Sequence, residues 1–127
     1  MPNTALLTAA ILTFAIGAAH SWLGEGWLLG PLLDPETRQG LLEKSTFARR
    51  VLRFAWHLTT IAWWGFAAVL ILLARAPIDA SGRAVLAGIA GTFLATGLVT
   101  CLSSRGRHFA WPIFVTIAGL SIVPLLS

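Results

Sequence analysis

Four stretches of this 127-residue chain contain no Asp, Glu, Lys or Arg: Ala5–Leu23, Phe54–Leu73, Ala84–Leu102 and Phe109–Leu126. Each has about the 20 apolar residues that a helix needs to cross roughly 30 Å of hydrocarbon. Soluble domains carry about a quarter charged residues; here 57% of residues are hydrophobic and 11% charged, which excludes an ordinary soluble domain. Backbone N–H and C=O groups must be paired in lipid, and four segments cannot close a barrel, so each stretch is expected to be helical. The reading is all-α: one antiparallel integral membrane four-helix bundle over residues 1–127.

The connections refine this picture. Ala76–Gly82 holds Pro, Asp, Ser and Gly and reads as a tight turn, with Ser81 capping the third helix. Ser103–Arg107 is equally short, and short links make antiparallel neighbours. Between Gly24 and Arg50, Asp34-Pro35-Glu36 is a helix-start signal. A short interfacial helix is expected to follow, with Leu41, Leu42 and Phe47 among charged residues. Arg38, Lys44, Arg49, Arg50, Arg53, Arg105 and Arg107 fall at one end of the bundle and only Arg75 and Arg83 at the other. The positive-inside rule then puts the basic connections in the cytoplasm and both termini in the periplasm of a bacterial-type inner membrane. Trp22, Trp27, Trp56 and Trp111 lie at the same basic boundary, as in an aromatic belt. Gly17-Ala18-Ala19 is a small-residue run of the kind signal peptidase cleaves, but no Lys or Arg precedes it, so the first span reads as uncleaved. Phe54-Ala55-Trp56 and Phe109-Ala110-Trp111 form a short internal repeat.

The net charge of +4 is not gathered in a long basic run, so the cations are assigned to membrane lipids and not to nucleic acid. A single cysteine, Cys101, excludes an intrachain disulfide. No phosphate-binding glycine loop, HExxH, nucleophile elbow or CxxCH occurs, and Asp34, Glu36 and Glu43 lie on a surface connection, which argues against an enzyme.

What remains is three histidines from three helices, His20, His57 and His108, expected within about a turn, or ~5 Å, of one depth at the basic end. Imidazoles in that arrangement suit a transition metal ion (Zn, Cu or Fe) or haem b. Glu25 would orient an imidazole, Arg53 would meet an acidic group such as a propionate, and Thr60 shares their stripe with Arg50 and Trp64. Trp56, Trp64 and Trp111 are candidates for stacking on a flat cofactor, and Arg49, Arg50, Arg105 and Arg107 for lipid or partner contact. Cys101 is a weaker fourth ligand, on the opposite face of helix three from Thr92. Small and hydroxyl residues share a face on each helix: Thr13, Gly17, His20 and Gly24; Gly88, Thr92, Thr96 and Ser103; and, with His108, Pro112, Val115 and Gly119. These faces are read as converging inward. Taken singly, an interfacial histidine is more often an amphipathic side chain bonded to a carbonyl, and small-residue stripes are more often packing devices.

In Ala19-His20-Ser21-Trp22-Leu23-Gly24-Glu25, Leu52-Arg53-Phe54-Ala55-Trp56-His57 and Gly106-Arg107-His108-Phe109-Ala110-Trp111-Pro112, the chain resembles a group of small bacterial four-span membrane proteins of uncharacterised function. The resemblance implies a bacterial source and nothing about mechanism. Two other roles compete with metal or haem binding: a non-catalytic subunit or assembly factor of a larger membrane complex, or proton or ion transport as a homo-oligomer.

Overall fold

The computed structural model describes residues 1–126, which are mostly helical with no strand among them. Helix α1 runs Thr4–Leu33; α2 is a single turn, Leu41–Lys44. Helices α3 (Thr46–Arg75), α4 (Ala80–Ser103) and α5 (Ala110–Ile122) follow, the last ending in a 3₁₀ turn at Val123–Leu125. Three of these, α1, α3 and α4, are long and apolar enough to cross a membrane. Large apolar side chains such as Ile11, Phe14, Ile61, Leu72, Leu98 and Val99 stand more than half exposed along them. A water-soluble monomer does not sustain so much outward apolar surface. Helix α5, at 13 residues, is only about 20 Å long and so shorter than the expected fourth span.

The first helix departs most from expectation. Instead of ending near Leu23, α1 continues to Leu33 through one wide π-turn at Glu25–Leu29. Pro31 has no N–H to return to the carbonyl four residues back, and the wide turn immediately precedes it, with the Gly30 N–H bonding the Glu25 carbonyl. The helix expected from Asp34 does not form there. Asp34 closes a turn: its carboxylate accepts the Glu36 N–H at 2.8 Å and its carbonyl the Thr37 and Arg38 N–H groups. Gly40, at φ +63°, then separates this turn from α2. Ser45 caps α3 by accepting the Ala48 N–H at 3.1 Å, so the second long helix starts eight residues before Phe54 and absorbs Arg49, Arg50 and Arg53.

At α4 the cap is Asp79 and not Ser81: its Oδ1 accepts the Gly82 N–H at 2.7 Å. Asp79→Ala should therefore lower thermal stability in detergent by about 1 kcal/mol. Ser81→Ala, by the same measurement, should change it little.

Helices α1 and α3 run antiparallel, as do α4 and α5. The Asn3 N–H reaches the Ala74 carbonyl, and Arg83 reaches the Leu125 carbonyl at 2.7 Å, closing the two hairpins at one end. Helix α1 packs against α3 and α5, and α4 packs against α5, whereas α3 and α4 meet at few points. Close packing follows the glycines: a Cβ on Gly17 would lie 2.9 Å from Trp64 Nε1, and one on Gly97 2.9 Å from Val115. Leu6, Leu70 and Leu86 fill the half nearer the termini, and Ile117, Phe93 and Phe114 continue the core toward the basic end. Toward the basic end the loose α3/α4 seam is closed by Phe66 against Phe93, and beside it Trp63 of α3 meets Phe114 of α5, ring centroids 5.9 and 5.2 Å apart. Beyond those rings the seam opens.

Candidate functional site

Two adjoining features occupy the basic end. The first is a polar clasp between α1 and α3. Arg50, Arg53, His57, Thr60 and Trp64 recur at helical spacing, and four of them turn toward α1. Arg53 pairs with Glu25 at 2.7 Å, and Glu25 also lies 3.3 Å from His57 Nε2. His57 Nδ1 is 2.8 Å from Ser21 Oγ, which is 2.7 Å from Thr60 Oγ1, which in turn donates to the Gly17 carbonyl at 3.1 Å. Trp64 Nε1 donates to the Phe14 carbonyl. The π-turn begins at Glu25 and sets its carboxylate against α3.

From Glu25 to Gly17 there are four contacts in series, and each needs one proton. Ser21 and Thr60 supply one each, so with Glu25 ionised all four are made at once only when both nitrogens of His57 carry protons. The chain then ends on a backbone carbonyl that is part of α1, so the series is a clasp and extends no further as a relay. Ser21, His57 and Glu25 also have the residue types of a nucleophilic triad. Ser21 lies mid-helix, however, where backbone N–H groups are spent on the ladder and cannot hold an oxyanion. Glu25→Gln removes the charge that Arg53 and His57 share. These groups are half-exposed, so we expect a loss of only about 1 kcal/mol in thermal stability, shrinking in high salt.

The second feature is a cavity of about 390 Å³ in the open part of the α3/α4 seam, lined from α1, α3, α4 and α5. Its walls are apolar and aromatic, among them Trp27, Trp56, Trp63 and Phe114, with Thr96 and Thr100 from α4. His20 and His108 both line it. Trp56 builds the wall: its indole lies across Gly24, donates Nε1–H to the His20 carbonyl at 3.0 Å, and stacks on the His20 ring at 4.4 Å and 6°. Trp63 meets the same imidazole edge-on. Held between the two indoles, His20 has a buried Nε2 with no hydrogen-bond partner among the described residues.

The three histidines therefore have different surroundings. His57 is engaged at both nitrogens in the clasp. His108 accepts the Ala110 N–H on Nδ1 at 3.2 Å, which puts the proton of a neutral ring on Nε2. Only His20 presents an unengaged, buried ring nitrogen. Among the described residues no group of three or more His, Cys, Asp and Glu is set to hold a metal ion. Of the stacking candidates, Trp56 lines the cavity, whereas Trp64 stacks on Phe14 and Trp111 donates to the Gly106 carbonyl, neither lining it.

The faces expected to converge do so in part. Thr13, Gly17 and Gly24 are buried, but Gly88, Thr92, Pro112 and Gly119 are exposed, because α4 and α5 bury the opposite set, Ile89, Phe93, Phe114 and Ile117. Bulky apolar residues fill the bundle better than the stripes of small ones. Ser21 carries no motif of its own, and its sequence signal is its position one residue after His20 and four before Glu25.

Comparison with known proteins found no match: no family model, no curated protein and no solved structure is similar to this chain.

Proposed function

We propose that this chain is an integral membrane four-helix bundle that binds a flat, neutral ring ligand in the cavity at its basic end, with His20 as the directional contact. The observation that carries the reading is the unpartnered, buried Nε2 of His20 in an aromatic-walled cavity between helices. A buried polar atom without a partner costs free energy, and a ligand group that completes its bond recovers it. Apolar walls with a few convergent polar groups are the ordinary make-up of a small-molecule site, and the volume falls within the usual range of roughly 300–1,000 Å³. An imidazole nitrogen serves a ligand carbonyl or a ligand hydroxyl, according to its tautomer, so a compound of the quinone and quinol class suits the site.

A transition metal ion and haem b fit these histidines less well. A bare Zn, Cu or Fe ion wants three or four ligands, and among the described residues no group of three or more His, Cys, Asp and Glu is set to supply them. Haem b brings two propionates, and no Arg or Lys lines the cavity to receive them. By the Lys and Arg count the cavity opens at the cytoplasmic end of a bacterial inner membrane, with both termini periplasmic.

The test is to extract detergent-purified protein with organic solvent and identify what is released, beside an absorption spectrum of the intact sample. A stoichiometric neutral ring compound, lost in His20→Leu, supports the reading. A Soret band would replace it with haem, a near-stoichiometric metal would restore the ion, and an empty wild-type protein would count against all three.

One observation favours a second reading, that of a non-catalytic subunit. Gly88 and Gly91 face outward on α4 with open space where a Cβ would stand, and small residues let another helix approach closely. Association with a partner that persists after all three histidines become Ala would support it.

A further inference from the structure

On the far side of α3's N-terminal half from the cavity, a groove of about 830 Å³ runs between α3 and the end of α1. We propose that it holds one anionic phospholipid, its phosphate among the arginines and an acyl chain along the apolar floor. The groove is amphiphilic along its length. Arg38, Arg49, Arg50 and Arg53 line one end, where Asp34 is the sole acidic lining residue, and Phe54, Leu58 and Ile61 line the other. Those three apolar side chains are 53%, 52% and 61% exposed, so the protein leaves more than half of each uncovered. Their spacing continues that of Arg50, Arg53 and His57, so one face of α3 passes from cationic to apolar.

The arginines are not equivalent. Arg49 is spent on the fold, bonding the Leu42 and Glu43 carbonyls and Thr46 Oγ1, and Arg53 is tied to Glu25. Arg50 has no hydrogen bond or ion pair among the described residues, and the Nε of Arg38 is buried without a partner. A guanidinium nitrogen shielded from water with no acceptor is a vacancy for an anionic oxygen, and planar guanidinium groups match phosphate geometry. The adjoining apolar floor distinguishes a lipid from free phosphate, which would leave that floor uncovered.

The experiment is native mass spectrometry of delipidated, detergent-purified full chain. It is titrated with phosphatidylglycerol, with phosphatidylcholine of the same acyl chains, and with glycerol phosphate. One phosphatidylglycerol should bind at least about fivefold more tightly than phosphatidylcholine. The preference should vanish in Arg38→Gln/Arg50→Gln and survive in Arg105→Gln/Arg107→Gln. Arg50→Gln alone, at a residue with no internal contact to lose, should weaken it without altering the fold. Equal binding of the two lipids overturns the proposal, as does a preference that survives loss of Arg38 and Arg50. Glycerol phosphate binding as tightly as phosphatidylglycerol makes this a free-phosphate site and also overturns it.

Discussion

Trp56→Ala is expected to lower the stability of the detergent-solubilised protein by about 3 kcal/mol and to abolish ligand retention. Truncating a well-packed Trp commonly costs ~3–5 kcal/mol, and the lower end applies because Trp56 is only partly buried. The indole does three things at once: it covers Gly24, donates to the His20 carbonyl, and holds the His20 ring by stacking. Without it, α1 and α3 lose their contact beside the clasp and His20 is free to rotate. Thermal unfolding followed by circular dichroism measures the first effect, and solvent extraction the second. A variant as stable as wild type that still retains its ligand would show that the indole is not the cavity wall described here.

The converse change is Gly24→Val. A Cβ at Gly24 would overlap the Trp56 ring, and a branched side chain must push the indole out of its seat. Overpacking of this kind costs about 1–3 kcal/mol, and the displaced indole should take the His20 stack with it. Gly26→Val is the control: it lies two residues on, inside the π-turn, and a Cβ there meets nothing within 4 Å. Loss of ligand in Gly24→Val together with retention in Gly26→Val assigns the effect to the Trp56 seat. Equal loss in both would assign it to the wide turn itself.

Charge-free length alone located the three long helices. Their ends differ from the charge-free bounds for physical reasons. The charge-free stretch ends at Leu23 because Glu25 follows, but Gly24 is a buried contact against an indole and the apolar run Trp27–Leu33 carries the helix onward. Asp34-Pro35 reads as a helix start, but the aspartate closes a turn with its own neighbours. Local signals of this kind are satisfied equally by a cap or a turn, and tertiary packing decides between them. The stripe Arg53–His57–Thr60 was legible because period and polarity agree. Its partners Ser21 and Glu25 were harder to see, because a five-residue π-turn shifts the phase of α1 after Gly24. His20 and His108 line one cavity and His57 sits in the adjoining clasp, but such proximity says nothing about which nitrogen is free. That depends on neighbours such as the Ala110 N–H and Ser21 Oγ, which periodicity does not reveal.

The most direct test of the account is a titration of detergent-purified protein with a short-chain benzoquinone, following tryptophan emission, in wild type and in His20→Leu. Trp27, Trp56 and Trp63 line the cavity and report on its occupancy. The account predicts saturable quenching in wild type and an affinity about tenfold weaker in His20→Leu, as expected for one lost hydrogen bond of ~1.4 kcal/mol. Unsaturable quenching, or the same affinity in both proteins, would contradict it.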